Sequence, residues 1–351
     1  MNPNILIHDP HQATAHEIVS SRDADALVWS CIPHRNFRCA IDEAFSQPRS
    51  GQCHRVRLLI GPPGVGKSLV ARTIVKRTQD RAATEMQRHA GLIPAVLIEA
   101  PALVDCEQSD RLFHIMLLTA LGENGHTNKV AYGIDPTSNR LVRPRGMSRN
   151  GHQGLRTALM RALKARKTQR LIIDDAIHLF DAARPQQVAV QFERLKALSV
   201  ASGCELMLVG SYDLFHLLDA SDASGRGLDV VEFSRYQMGQ PEDLSEFTAC
   251  VEQFQRALPQ VWGRQLERHA DALLANCLGC VGSLSNILNR AAKRAQAEGC
   301  WRVSFLEHAL LSSGQRKCIL EEILGGETAV QRQRELASNF NPQNHGVRGA
   351  A

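Results

Sequence analysis

Two hydrophobic patterns alternate along the first two thirds of the chain. Buried strands are indicated by short, nearly continuous apolar runs at 56–60, 95–99, 170–174, 205–209 and, more briefly, Val230–Phe233. Between these runs apolar residues recur at helical spacing, which predicts helices over 34–45, 67–79, 109–121, 154–167, 185–201 and 213–218. This alternation predicts an α/β fold in which a parallel sheet is covered by helices on both faces.

The pattern changes after about residue 240, where strand signals stop. Helical spacing continues over four further segments, namely 242–257, 264–276, 282–297 and 303–311. From Gly325 polar residues predominate, which predicts a flexible tail. The expected organisation is therefore a lead-in (1–30), an α/β core (31–238) with a long polar insertion (122–153), a helical domain (239–324) and a tail (325–351).

Composition narrows the class of protein. Of the 351 residues, 44% are hydrophobic and 22% are charged, which is ordinary for a globular protein. No apolar run approaches the roughly 18 residues that a membrane span needs. The N-terminus, MNPNILIHDPHQ, lacks the basic start and apolar stretch of a signal peptide. We therefore expect a cytoplasmic protein with no membrane contact.

Positive charge is concentrated in one stretch. Residues 126–170 hold eleven Lys and Arg against one acid, so this segment carries +10 while the rest of the chain carries −5. Such a concentration favours a polyanion as partner, and the alternative is a solvated face that pairs with acids elsewhere in the fold. A long loop in a compact domain is usually functional or disordered. We favour nucleic-acid contact, and the candidate residues are Lys129, Arg140, Arg143, Arg145 and Arg149.

The clearest motif follows the first predicted strand. Residues 61–68 fit GxxxxGK[ST] and lie between a buried strand and a helical segment, as this phosphate-binding motif requires. Its glycines let backbone N–H groups turn toward phosphate oxygens, and the helix N-terminus adds partial positive charge. We expect ATP to bind along Gly61, Pro62, Pro63, Gly64, Val65, Gly66, Lys67, Ser68 and Leu69. In this arrangement Lys67 would reach the β- and γ-phosphates and Ser68 would ligate Mg²⁺.

Two further predicted strands end in polar residues that suit nucleotide chemistry. Strand 170–174 ends in two acids, and we expect Asp174 to hold Mg²⁺ while Asp175 orients or activates the attacking water. Strand 205–209 is followed by Ser211, a candidate catalytic residue that would sense the γ-phosphate or the water. A simple helix N-cap is the alternative role for Ser211.

Together these features resemble the AAA+ ATPases, and within them the TniB/TnsC regulators of DNA transposition. The resemblance covers about residues 30–312 and rests on Ile93–Pro101, Leu171–Leu179, Gln186–Leu198, Leu208–Ser211, Phe247–Pro259 and Gly279–Leu284. It implies a P-loop AAA+ sheet domain followed by a small helical lid. It also implies ATP-driven assembly of a homo-oligomer, as a ring or helical filament on duplex DNA, that recruits or activates a transposase together with target-selection proteins.

The resemblance also implies an arginine that acts in trans at a neighbouring subunit's γ-phosphate. Arg226 matches that position best and Arg235 comes second. The chain departs from the family in two places. Asp174-Asp175 stands where the family usually has Asp-Glu, which predicts slow hydrolysis, and no arginine stands near the start of the third lid helix, so no lid sensor is assigned. A helicase-loading or origin-type ATPase, and a nucleotide-switch protein without DNA binding, are the alternative functions.

Overall fold

The computed structural model describes most of the chain, namely residues 34–46, 56–101, 106–123, 133–134, 141–142, 147–180, 184–220, 228–262 and 265–339. Some features predicted from the sequence lie outside these residues: the lead-in 1–30, Lys129, Arg140, Arg143, Arg145 and Arg226. Arg149 lies in a described helix, but its side chain is not described.

Seven strands form two sheets in the described part of the chain. In chain order they are β1 (Val56–Ile60), β2 (Ala95–Glu99), β3 (Gly133–Ile134), β4 (Leu141–Val142), β5 (Arg170–Asp174), β6 (Glu205–Gly210) and β7 (Asp229–Glu232). Five of them make a parallel sheet in the order β2-β5-β6-β1-β7, and β3 pairs with β4 in an antiparallel ribbon. β1 is buried along its whole length, which explains why its sequence is apolar almost without alternation.

The described residues form twelve α-helices. They are α1 (Arg35–Phe45), α2 (Lys67–Arg88), α3 (Cys106–Ala120), α4 (Met147–Ala165), α5 (Pro185–Ser202), α6 (Tyr212–Ala220), α7 (Pro241–Ala257), α8 (Pro259–Trp262), α9 (Ala270–Asn276), α10 (Val281–Glu298), α11 (Val303–Ala309) and α12 (Ser313–Asn339). Helices α2, α3, α5 and α6 pack on strands of the parallel sheet, and α4 packs on α3 and α5. Within the described residues, no helix is both long enough and apolar enough to cross a membrane.

The chain divides into two compact units. The sheet unit comprises Ala40–Ile60 and Lys67–Glu232, and the helical unit comprises Met1–Cys39, Gly61–Gly66 and Phe233–Ala351. The core of the helical unit is built from side chains of α7 to α11, including an edge-to-face pair of Trp262 and Trp301 with ring centroids 4.8 Å apart. The predicted fold class, a parallel α/β sheet followed by a helical lid, is confirmed.

A buried arginine organises the amino end of the parallel sheet. The side chain of Arg57 is 3% exposed, and its Nε lies 2.9 Å from Asp229 and 3.2 Å from Glu205, on strands β7 and β6. The same guanidinium donates a 2.6 Å hydrogen bond to the carbonyl of Ala44 near the end of α1. These contacts satisfy most of a charge that would be costly to bury alone. The contacts of Arg57 lie at the amino ends of the strands, whereas the predicted site residues follow the carboxyl ends.

The described part of the predicted C-terminal tail differs from the prediction, and residues 340–351 lie outside the described residues. Residues 325–339 are not a flexible tail but the second half of α12. Ile323 and Val330 lie seven residues apart, two helical turns, and both are fully buried (0% and 1% exposed). Glu327, between them, forms an ion pair with Arg235. The polar residues of this segment therefore lie on the exposed face of α12, and the opposite face is held by buried side chains and by the ion pair.

Other boundaries also shift. α2 continues to Arg88 rather than stopping at 79, because no Gly or Pro interrupts it. α4 begins at Met147, so the predicted insertion ends earlier than 153, and the predicted helix 264–276 is divided into a 3₁₀ turn, Leu266–His269, and α9. These differences leave the positions of the strand ends, and hence of the candidate site, unchanged.

Candidate functional site

The carboxyl ends of the parallel strands bring the predicted site residues of the sheet unit to one edge. Parallel strands place their carboxyl ends at the same edge of a sheet, which is where ligands bind in α/β folds. Ile60 of β1 is in register with Gly210 of β6, and Glu99 of β2 is in register with Asp174 of β5. Ser211 follows β6 directly, so Asp174 and Ser211 end strands that are neighbours in the sheet.

The phosphate loop has the local backbone that its motif predicts. Gly64 and Gly66 have φ values of +75° and +114°, a region that other residues adopt only with strain. A turn closes over the first half of the loop, where the N–H of Val65 donates to the carbonyl of Pro62 at 3.3 Å. The two glycines reverse the direction of successive peptide groups, as a loop that presents N–H donors to an anion requires.

Lys67 and Ser68 form the first turn of α2, directly after the loop. Ser68 is exposed and Lys67 is half-buried. The first turn of α2 contains no acidic side chain, so nothing in it offsets the partial positive charge of the helix N-terminus. The Lys67 side chain, the Ser68 hydroxyl and the N-terminus of α2 lie together. Such a combination can bind a phosphate group and its magnesium ion. These residues therefore fit a bound nucleotide.

The acidic pair at the end of β5 has an unusual backbone. Asp175 is left-handed, with φ 49° and ψ 42°, and its N–H donates to the carboxylate of Asp174 at 3.1 Å. The side chain of Asp175 is exposed and that of Asp174 is half-buried. Non-glycine residues adopt this conformation at a cost, and such strain concentrates at functional sites. The two carboxylates therefore differ in their surroundings, which suits two different roles.

Ser211 caps the N-terminus of α6, which was the alternative to its predicted role in sensing the γ-phosphate. Its hydroxyl lies 3.3 Å from the N–H of Asp213, in the first turn of α6, and 3.4 Å from the Asp213 carboxylate. This is the contact of a helix N-cap. A hydroxyl in this position could still meet a γ-phosphate, so the sensing role stays a prediction.

The second candidate for the trans-acting arginine is engaged within its own chain. Arg235 forms a two-pronged ion pair with Glu327 of α12, at 2.8 and 3.1 Å, and its side chain is 13% exposed. A bidentate pair of this kind is strong and directional. Arg235 therefore has a structural partner within the helical unit. Arg226, the better match in the sequence analysis, stays the first candidate for the trans-acting arginine.

The described part of the basic stretch divides into two groups. Arg166, Lys167 and Arg170 form ion pairs with Glu123, Glu85 and Glu205, at 3.0, 2.7 and 3.1 Å. Three others on α4 are exposed: Arg156, Arg161 and Lys164. The described cations thus divide into those that pair with acids within the fold and those of α4 that are exposed, and the polyanion partner stays a prediction.

The sequence did not reveal the contacts between the phosphate loop and the lid. The N–H of Ser283, in the first turn of α10, donates to the carbonyl of Gly64 at 2.8 Å. A Cβ placed on Gly282 would lie 2.5 Å from that same carbonyl oxygen, so only glycine fits there. The signal was present as two glycines, 279 and 282, at the start of a helix, but their partner could not be inferred from local spacing.

His34 lies in an aromatic cluster of the helical unit. Its ring stacks on Phe233 with centroids 5.8 Å apart, and its Nδ1 lies 3.1 Å from the hydroxyl of Tyr236. Burial, together with the nearby charges of Arg38 and Arg35, lowers the pKa of His34 to about 4. The imidazole is therefore neutral in the folded protein at pH values where it is charged in the unfolded chain.

This shift predicts a loss of stability in weak acid. Because the unfolded chain takes up the proton near pH 6.5 and the folded one only near 4, the contribution of His34 is complete above pH 6.5 and declines as the pH falls toward 4. Between pH 7 and 4.5 this amounts to about 2–3 kcal/mol in the free energy of unfolding. Urea unfolding of the wild type and of His34→Gln at both pH values measures it. Equal losses in the two proteins would contradict the assignment.

Comparison with known proteins adds a family match. Residues 53–218 match the family described as AAA domain. This segment contains the phosphate loop, β5 and β6. Residues 53–218 are therefore similar to an AAA domain, and the predicted P-loop fold class is confirmed.

No curated protein matches the chain, but solved structures do. The Aeropyrum pernix ORC2 protein, in ADPNP–ADP complexes, is 16% identical over 97% of this chain and 85% of its own, with a TM-score of 0.45. The Walker-type ATPase of Pyrococcus abyssi is 13% identical over 86% and 76%, with a TM-score of 0.42. Drosophila ORC bound to DNA is 14% identical over 88% and 70%, with a TM-score of 0.39.

Proposed function

We propose that this chain, which is similar to an AAA domain over residues 53–218, is an ATP-dependent, DNA-binding regulator of DNA transposition. The observation that carries the nucleotide part is the loop between β1 and α2, with its two left-handed glycines followed by Lys67 and Ser68. The acidic end of β5 supplies the second element that ATP chemistry needs. The likeness of the sequence to the TniB/TnsC regulators supports the assignment to transposition.

Each site residue has a role in this proposal. Backbone N–H groups of Gly61–Ser68 hold the phosphates, and Lys67 neutralises charge on the β- and γ-phosphates. Ser68 and Asp174 would hold Mg²⁺, which when bound offsets the charge that develops on the transferred phosphoryl group. Asp175 orients the attacking water through a side chain shorter than glutamate, so we expect slow hydrolysis. Arg226 of a neighbouring subunit would complete the site.

The DNA part of the proposal rests on charge. The stretch 126–170 carries +10, and its described portion presents Arg156, Arg161 and Lys164 on the exposed face of α4. Cations that follow a surface in this way attract a polyphosphate backbone without reading its sequence. We propose that ATP-bound subunits assemble as a ring or filament on duplex DNA, where they recruit a transposase and target-selection proteins.

Neutralising the exposed cations of α4 tests this surface. We expect the wild type to bind duplex DNA with a non-hydrolysable ATP analogue but not with ADP, and to form rings or filaments visible by electron microscopy. Replacing Arg156, Arg161 and Lys164 with glutamine should weaken that binding and reduce the slope of log K against log salt, by about 0.9 for each phosphate that is no longer neutralised. Fluorescence anisotropy at several salt concentrations measures both quantities.

A second triple variant controls for net charge. Arg72, Lys76 and Arg88 are exposed cations of α2, and replacing them with glutamine removes the same charge from a different surface. An equal effect of the two triple variants would contradict the α4 surface. Nucleotide binding with neither DNA affinity nor assembly would contradict the DNA function and favour a nucleotide switch. DNA binding that stimulates helicase loading rather than transposition would favour the loader function instead.

A further inference from the structure

Three backbone segments of the helical unit approach one another so closely that only glycine fits at each meeting point. A Cβ on Gly61 would lie 2.4 Å from the carbonyl oxygen of Phe233, and a Cβ on Gly279 would lie 1.8 Å from that of Tyr236. The third approach is that of Gly282 to the carbonyl of Gly64, at 2.5 Å. Real side chains do not tolerate such distances. The phosphate loop, the segment after β7 and the turn before α10 are therefore packed backbone against backbone.

A hydrogen bond joins the third of these approaches. Ser283 is the third residue of α10, so its N–H has no acceptor within the helix. It donates instead to the carbonyl of Gly64 at 2.8 Å, while the N–H of the next residue, Leu284, donates to the carbonyl of Cys280 and begins the helical pattern. A free donor of the lid helix thus meets a carbonyl of the phosphate loop.

The direction of that carbonyl matters for the chemistry of the loop. A phosphate-binding loop must present N–H groups to the anion, and a carbonyl oxygen turned inward would repel phosphate. Because the peptide group is planar, holding the Gly64 carbonyl on α10 fixes the whole Gly64–Val65 peptide unit. The hydrogen bond therefore restricts the loop at the residue where its first left-handed turn occurs, Gly64 with φ +75°.

We propose that Ser283 and Gly282 are positioning residues for the phosphate loop: the main-chain N–H of Ser283 holds the Gly64 carbonyl away from the nucleotide phosphates, and Gly282 permits the approach. This inference rests on the proposed ATP binding and adds to it. The start of α10 carries serine and asparagine rather than arginine, so no arginine there can contact the nucleotide directly. In this proposal α10 affects nucleotide binding through the main chain of the phosphate loop. Displacement of α10 would release the carbonyl and weaken phosphate binding.

The hydroxyl of Ser283 offers a competing explanation that can be separated from the N–H. A Cβ on Gly64 would lie 2.1 Å from the Ser283 Oγ, so the side chain also lies against the loop. Ser283→Ala removes the hydroxyl and keeps the N–H. Ser283→Pro removes the N–H, at a first-turn position where a helix tolerates proline. Gly282→Ala keeps both groups but pushes the Gly64 carbonyl away.

The experiment measures binding of a fluorescent ADP and ATP analogue, with the melting temperature of the nucleotide-free protein beside it. We expect Ser283→Ala to bind as the wild type does. Ser283→Pro and Gly282→Ala should each bind about tenfold more weakly at temperatures where the nucleotide-free variant is fully folded, the effect of one well-placed hydrogen bond. Gly282→Ala should also lower the nucleotide-free melting temperature, because its Cβ would lie 2.5 Å from a backbone carbonyl oxygen. Gly325→Ala, inside α12 with nothing within 4 Å of the added Cβ, is the matched glycine control.

Each other outcome is decisive. Wild-type affinity in both Ser283→Pro and Gly282→Ala would overturn the inference alone. Weak binding in Ser283→Ala would assign the effect to the hydroxyl and overturn the main-chain role. Weaker binding only at temperatures where the nucleotide-free variants are partly unfolded would make the hydrogen bond merely structural, and Gly282→Ala decides the matter if Ser283→Pro does not fold. Failure of the wild type to bind nucleotide would instead overturn the proposed function and the inference with it.

Discussion

Replacing Lys67 with alanine is expected to lower the ATPase rate at least about 100-fold and to weaken ATP binding. Lys67 begins α2 immediately after the two left-handed glycines of the loop. Its ammonium group adds a full charge at a helix N-terminus that carries only partial charge. Removing one preorganised donor from a site where negative charge develops commonly costs about 10²–10³ in rate. Phosphate release and titration with a fluorescent ATP analogue measure the two effects.

Lys76 provides a matched control for this substitution. It is a lysine on the exposed surface of the same helix, so Lys76→Ala removes the same side chain and charge away from the loop. We expect the Lys76 variant to retain wild-type nucleotide binding and ATPase rate, and both variants to keep the melting temperature of the nucleotide-free protein. Full ATPase activity in Lys67→Ala would contradict the nucleotide site at this loop.

The strands of the parallel sheet could be predicted closely from the sequence because they are buried, whereas β3 and β4, in the predicted insertion, were not predicted. β1, β2 and β5 have the predicted bounds, and those of β6 and β7 differ by no more than one residue at either end. A strand covered on both faces must be apolar at nearly every position, so its ends are marked by the first polar residues. A helix such as α2 buries only one stripe, so its outer residues carry no signal of where it ends.

In the candidate site, residues within local motifs could be predicted from the sequence, but contacts between distant segments could not. Lys67 and Ser68 follow from a local motif, because the strand–loop–helix geometry that aligns them is contained in a few consecutive residues. Asp174 follows from a separate local signal, the polar end of a buried strand. The bond from Ser283 to Gly64 joins segments far apart in the chain. The pairing of His34 with Tyr236, 202 residues away, is equally non-local. Glycines mark such close approaches in the sequence but do not name the partner, which only the folded backbone supplies.

The DNA surface predicted from positive charge was also incomplete, because pairing between distant residues is not visible in the sequence. The excess in 126–170 was expected to mark a DNA surface, yet Arg166, Lys167 and Arg170 are engaged with acids from other segments. Counting charges along a sequence cannot separate cations that pair within the fold from those that face solvent. The structure makes that separation for the described residues, and it reduces the testable surface there to the exposed face of α4.

Replacing Gly279 with alanine is expected to destabilise the helical unit by at least about 3 kcal/mol. Gly279 has φ +77°, where a Cβ costs roughly 1–2 kcal/mol. The added Cβ would also lie 1.8 Å from the carbonyl oxygen of Tyr236, so one backbone segment must move. That movement would break the 3.0 Å hydrogen bond from the N–H of Tyr236 to the carbonyl of Gly279. Overpacking and a broken hydrogen bond each add about 1–3 kcal/mol.

Gly299 separates backbone strain from backbone packing in this prediction. It ends α10 with φ +67°, nearly the conformation of Gly279, but a Cβ placed on it meets nothing within 4 Å. Gly299→Ala should therefore cost only the strain, about 1 kcal/mol, and the difference between the two variants measures the packing against Tyr236. Thermal and urea unfolding of both variants supply the numbers. Equal destabilisation would mean that the turn before α10 can move away from Tyr236 at no cost, and that the backbone packing around the phosphate loop is loose rather than rigid.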